Sequence, residues 1–250
     1  MDLLLVLRVL TLTGWLVLAV GSLYIVLAQG TLLPQPVRNT WLIVAVRHSV
    51  VATTTLVVEA VAFLSVYGPG PQAAALGMLI YNPAYLLNAV VSAVVPFIAV
   101  RFLTRPRTFR RTGLAGSIGA VAIALLAVRA GAASDWTVLM SWTQALSFLE
   151  IAGYLLLWAL VLLGHLKRID PYLLGIFAIT ALYTLLLPVQ AEFFEVVGRI
   201  DSTRIWHLNQ FLQLVVVVTS LLAVLARIGH LTIDPLKRDI FKAFQNMRSP

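Results

Sequence analysis

Residues 41–67 read WLIVAVRHSVVATTTLVVEAVAFLSVY, a run long enough to cross a bilayer that nevertheless carries Arg47, His48 and Glu59. A hydrocarbon core about 30 Å thick is spanned by about 20 apolar residues in a helix. Ionisable side chains at that depth cost about 2.5 to 3.5 kcal/mol apiece on insertion scales, so they face a bundle interior and are kept for a partner or a task. The stretch reads as one wall of a helical membrane bundle.

The rest of the chain agrees with that reading. Of its 250 residues 60% are hydrophobic and 11% are charged, whereas a soluble domain has about 25% charged residues. Nearly all of the length is taken up by apolar segments, which leaves no room for a separate soluble domain. Cysteine is absent, so disulfides, thiolate metal sites and thiol nucleophiles are excluded.

Seven spans are expected, at about 9–28, 41–67, 74–102, 113–130, 136–164, 171–190 and 206–228. Trp41 sits at an interfacial depth that suits indole, and Pro34 and Pro36 mark a loop ahead of it. Gly68, Pro69, Gly70 and Pro71 end the second span, and Pro83 and Pro96 are expected to kink the third. The Gly- and Ala-rich fourth span is suited to close helix packing. Asp135 opens the fifth span, and Asp170-Pro171 reads as an N-cap followed by proline at the first helical position of the sixth. Residues 231–250 are expected to form a short amphipathic surface helix, capped by Asp234, with Ile233, Leu236, Ile240, Phe241 and Phe244 on one face opposite Lys237, Arg238 and Lys242. The fold class is thus an all-α, seven-transmembrane-helix bundle with a cytoplasmic tail.

Basic residues orient it. With the N-terminus outside, fourteen of the 18 Lys and Arg residues lie on the inner side, leaving Arg8, Arg129, Arg199 and Arg204 outside. The excess of basic charge, +8 overall, then faces anionic lipid through Arg101–Arg111, Lys167, Arg168 and the tail rather than nucleic acid. The plasma membrane is the expected location.

Polar residues recur at helical spacing on at least four spans, which predicts a common polar interior. His48, Thr55 and Glu59 share a face of the second span, and Tyr81, Tyr85, Asn88 and Ser92 one of the third. Thr143, Ser147, Glu150, Tyr154, Trp158 and His165 line up on the fifth, and Asn209, Gln213, Ser220 and Arg227 on the seventh. Glu59 and Glu150, with Tyr154, Asn88, Asn209 and Gln213, are the candidates for a proton relay or ligand contact, because a carboxyl in hydrocarbon is either neutral or paired.

Three functions fit these residues. In the first, the chain is a membrane subunit of an electron- or proton-transfer assembly, working with other membrane or peripheral subunits, without catalytic activity of its own. Haem b would be held by His48 with His165 or with His230, and protons handled by Glu59 and Glu150. In the second, it is a small-molecule receptor or carrier whose polar interior binds the ligand. In the third, His48, His165 and His230 hold an intramembrane hydrolytic zinc. Against the metal readings stand the lack of a two-histidine helical spacing and the location of His165 and His230 at helix ends, where histidine suits the C-terminal dipole. His207, beside Trp206, reads as an interface residue. A retinal Schiff base is excluded because Lys167, Lys237 and Lys242 all fall outside the spans, and no phosphate loop or serine nucleophile elbow occurs.

Overall fold

In a computed structural model the described residues of the chain form seven long α-helices. The structure describes residues 3–67, 71–166, 170–197 and 202–248, with side chains at 5–61, 79–135, 137–166, 170–186 and 208–233. The expected roles of Gly68 to Gly70, Lys167, Arg168, His207 and the tail residues Leu236, Ile240, Phe241 and Phe244 fall outside that set.

The helices are α1 (Leu3–Leu27), α2 (Gln35–Tyr67), α3 (Pro71–Leu103), α4 (Arg107–Arg129), α5 (Trp136–Leu162), α6 (Pro171–Val197) and α7 (Ser202–Arg248). Among the described residues six stretches are long and apolar enough to cross a membrane, and α6 adds the shorter apolar stretch Pro171–Leu186. Large apolar side chains are turned outward on every helix, from Leu27 on α1 to Leu162 on α5 and Leu222 on α7. A water-soluble fold does not tolerate that much exposed apolar surface, whereas a lipid-embedded one requires it. The chain is a helical membrane protein.

Local chemistry sets several helix ends where the sequence places them. Asp135 Oδ1 accepts from the backbone N–H groups of Thr137 at 2.8 Å and Val138 at 3.2 Å, capping α5. Asp170 Oδ1 accepts from Tyr172 N at 3.0 Å, and Pro171 opens α6 where its missing N–H costs nothing. Elsewhere the structure differs from expectation. Only a single 3₁₀ turn, Gly30–Leu32, separates α1 from α2, which already starts at Gln35. Trp41 is fully buried instead of interfacial, and its indole N–H donates to Asp170 Oδ2 at 3.1 Å. Three arginines of the basic cluster lie on the first turns of α4 rather than in a loop. The last helix runs unbroken for 47 residues, about 70 Å, past the cap expected at Asp234.

Successive helices alternate in direction. Ser22 meets His48 and Arg8 meets Glu59, so α1 and α2 are antiparallel. Gly14 faces Val217, Gly21 faces Val224 and Gln29 donates to Thr232, so α1 and α7 are parallel. Six helices close a ring in the order α1, α2, α3, α5, α6, α7 and back to α1, while α4 packs outside it on α3 and α5. Gly113 and Gly116 allow that packing: a Cβ at Gly113 would sit 2.5 Å from the carbonyl oxygen of Phe97, and one at Gly116 would enter the Phe97 ring. On the inner side, Gly153 of α5 receives the ring of Pro96, and α3 remains helical through both Pro83 and Pro96.

One end of the ring is fastened by a buried charge. Asp170 accepts from Trp41 of α2 and lies 3.1 Å from Arg227 Nε of α7, whose guanidinium also covers the Tyr172 ring at 5.6 Å. Three helices that are distant in sequence are joined through one carboxylate. Arg105, Arg107, Arg110 and Arg111 are exposed around α3 and α4 at this same basic end.

Candidate functional site

The closed ring leaves a cavity of about 460 Å³ at its centre, and each of the six ring helices contributes to its lining. From α2 come Arg47, Val51 and Thr55, each one turn apart; from α3 come Tyr85, Asn88, Ala89 and Ser92. Met140, Thr143, Gln144, Ser147 and Glu150 form the α5 wall, Tyr183 and Thr184 the α6 wall, and Gln213 and Val216 that of α7, with Trp15 of α1 closing the circuit. The volume is in the usual range of about 300 to 1,000 Å³ for small-molecule sites.

Its walls carry unsatisfied polar atoms. Arg47 is 7% exposed and its Nε has no hydrogen-bond partner; Glu150 is 6% exposed and its Oε1 has none. Asn88 Oδ1 is likewise unpartnered. A buried polar group left unmade costs about 1 to 3 kcal/mol, and a charged one more. Arg47 and Glu150 line the same cavity from α2 and α5 and do not form a salt bridge.

Neighbouring groups brace the two charges. Glu150 lies beside the Thr184 hydroxyl across the gap between α5 and α6, and Thr184 Oγ1 bonds back to Thr180 O at 2.9 Å. Tyr183 donates its hydroxyl to Asn209 Oδ1 at 3.1 Å and accepts from Gln213 Nε2 at 3.1 Å, tying α6 to α7. Tyr154 is buried one turn beyond Glu150, its ring 6.1 Å from that of Phe177.

The structure gathers some of the sequence candidates and separates others. Asn88, Glu150 and Gln213 line the cavity, Tyr154 and Asn209 stand behind its wall, and the α3 and α5 stripes face inward at Tyr85, Asn88, Ser92, Thr143 and Ser147. The stripe on α2 is divided. Its cavity face centres on Val51, so Thr55 looks inward while His48 and Glu59, at the edge of that arc, turn to α1. Glu59 Oε1 lies 3.2 Å from Arg8 Nε, a charge contact outside the cavity lining.

The three described histidines are set apart. His48 is fully buried, its Nδ1 2.8 Å from Ser22 Oγ and its ring 5.8 Å from Trp15. His165 stacks on Phe109 at 5.7 Å, and His230 is exposed beside Tyr172 and Arg227. Each has different neighbours, and among the described residues no three His, Cys, Asp or Glu side chains converge as metal ligands.

Arg47 stands out in the sequence as an ionisable group at bilayer depth but is left out of the candidate site set and counted among the inner-side charges; it lies more than three turns into α2 and lines the cavity. The signal was its position in the same apolar run as His48. Tyr183, Thr184 and Gln144 were also missed, since neutral polar residues without a carboxyl neighbour stand out little.

The fold and site together define a polytopic helical membrane protein with a charged cavity inside a ring of six helices. Comparison with family models, with curated proteins and with solved structures finds no match.

Proposed function

We propose that this protein is a membrane receptor or carrier that binds a small polar molecule in the ring cavity. One observation supports this above the others: an arginine and a glutamate from different helices, each more than nine-tenths buried, line one cavity without pairing, and Arg47 Nε and Glu150 Oε1 have no hydrogen-bond partner. A purely structural ion pair would be closed, because holding buried charges apart forfeits the attraction that offsets their desolvation. The reading extends to topology. The alternating helices cross the bilayer seven times, with the basic end carrying Arg105, Arg107, Arg110, Arg111 and Arg227 in the cytoplasm and the N-terminus outside, as the distribution of Lys and Arg favours. The exposed arginines then lie against anionic headgroups.

The electron-transfer reading requires two imidazoles across one gap, and the zinc reading requires three. His48, His165 and His230 have separate neighbours, so no geometry favours either.

Cysteine accessibility tests the proposal cleanly, because the native chain has no cysteine. In protein reconstituted in nanodiscs, Ser147→Cys in the cavity wall reacts with a hydrophilic methanethiosulfonate reagent, whereas Leu155→Cys on the lipid-facing side of α5 does not. A Ser147→Cys protein as inert as Leu155→Cys would show that polar solutes do not reach the cavity and would end this reading. A reporter fused at the C-terminus tests orientation, and finding it outside the cytoplasm would reverse the topology.

A further inference from the structure

Resting on the reading of the cavity as a ligand site, the geometry points to a zwitterion as its ligand: a small molecule whose anionic group meets Arg47, whose ammonium meets Glu150, and whose apolar body lies against Trp15, Val51, Met140 and Val216.

Matching of donors and acceptors carries the inference. Arginine does not shed its proton in proteins, so the Arg47 guanidinium is a fixed buried cation with Nε–H lacking an acceptor. A simple anion would satisfy Arg47 and leave Glu150 Oε1 and Asn88 Oδ1 without a donor. A simple amine would do the reverse, leaving the Arg47 cation without an anion. A zwitterion completes both sets at once.

The remaining orphaned groups fit the same polarity. A carboxylate accepts from the guanidinium fork in two parallel bonds, which is the strongest geometry available to it. An ammonium has three donors and no acceptor, and the two unpartnered buried acceptors of the lining are Glu150 Oε1 and Asn88 Oδ1. Arg47 and Glu150 line the same cavity without pairing, so each is open to a charged end of the ligand. The apolar residues of the lining favour an aliphatic or aromatic body over a sugar.

The test uses matched probes on the full chain in nanodiscs, reading protection of Ser147→Cys from the thiol reagent together with calorimetric binding to the native protein. Leucine and phenylalanine are the zwitterions, isocaproate and hydrocinnamate the carboxylate-only analogues, isoamylamine and phenethylamine the amine-only analogues, and glucose the neutral polar control. The expected result is that at least one zwitterion binds and protects, with each singly charged analogue at least about ten-fold weaker, a difference of about 1.4 kcal/mol. Glu150→Gln should erase the preference for leucine over isocaproate, and Arg47→Gln the preference for leucine over isoamylamine. Charge preference that moves with the substituted residue is an outcome a structural role would not produce.

Protection by glucose or by a singly charged analogue in place of the zwitterions overturns the inference and leaves the cavity reading intact. An accessible Ser147→Cys that no zwitterion protects at millimolar concentration overturns the inference as well. An inert Ser147→Cys instead removes the cavity reading on which the inference rests.

Discussion

The Asp170 junction allows a stability prediction whose size follows from its surroundings. In Asp170→Asn the side chain keeps its shape, its Oδ1 still accepts from an N–H, and asparagine caps helices about as well as aspartate. What disappears is the negative charge opposite Arg227. The Asp170 side chain is 2% exposed and that of Arg227 13%, so the cation left behind is poorly reached by solvent. Breaking a buried pair from one side costs about 3 to 5 kcal/mol; the ring of Tyr172, 5.6 Å from the guanidinium, faces the cation in parent and variant alike. The Nε–H is also poorly aligned with the carboxylate despite the 3.1 Å approach, which weakens the pair being lost. The expected loss is about 2 to 4 kcal/mol. Equilibrium unfolding in mixed micelles titrated with SDS measures it, and Arg227→Met supplies the control. With the cation gone as well, the double variant should recover much of the loss, giving a coupling of at least about 1 kcal/mol. Asp170→Asn within about 0.5 kcal/mol of the parent, or strict additivity with Arg227→Met, would refute the view that this carboxylate fastens α2, α6 and α7.

Two glycines of α4 should respond in opposite directions to the same substitution. At Gly113 a Cβ would meet backbone atoms of α3, Phe97 O at 2.5 Å and Arg101 N at 2.8 Å, so Gly113→Ala must push the helices apart at a cost of about 1 to 3 kcal/mol. Gly119 has nothing within 4 Å, and Gly119→Ala should stabilise by about 0.5 to 1 kcal/mol through helix propensity; the same SDS titration reads both, and equal effects would contradict the packing of α4. Ser22→Ala removes the oxygen 2.8 Å from His48 Nδ1 in a fully buried site, for an expected loss of about 1 to 3 kcal/mol. An unchanged midpoint for Ser22→Ala would show that the Ser22–His48 contact adds nothing to stability. Glu59→Gln, at a contact where both side chains are about one-quarter exposed, should cost less than Asp170→Asn in the same assay, and a larger loss would reverse the ranking of the two ion pairs.

What the sequence shows in advance depends on how local the cause is. Asp135 and Asp170 cap their helices through backbone groups two or three residues away, and such chemistry is complete within a tetrapeptide. The inward stripes of α3 and α5 are legible for a related reason, since helical spacing alone brings Asn88 and Ser92, or Thr143, Ser147 and Glu150, to one face. Periodicity names a face without naming the neighbour. His48, Thr55 and Glu59 fall within one arc of α2, but the boundary between α1 and the cavity divides that arc. Trp41 looked interfacial because nothing local announces an acceptor 129 residues away. At the other extreme, a good local stop signal at Asp234-Pro235 does not interrupt α7, whose backbone stays helical to Arg248.

Three cation–carboxylate sets show how these scales combine. Arg8 with Glu59 and Arg227 with Asp170 are closed, at 3.2 Å and 3.1 Å, each bridging two ring helices in contact. Arg47 and Glu150 are open, although at 7% and 6% exposure they are about as buried as Asp170 at 6%. Side-chain reach alone would close them if their helices were free to approach. The ring prevents that: α3 stands between α2 and α5, held on one side by Thr54 bonding to Ala84 O and on the other by Pro96 against Gly153. The packing of neutral residues thus keeps apart two charges that would otherwise neutralise each other. The interaction they do not make with each other remains available to whatever enters between them, and a loss of that packing, as in Gly153→Leu, should cost binding before it costs the helical fold.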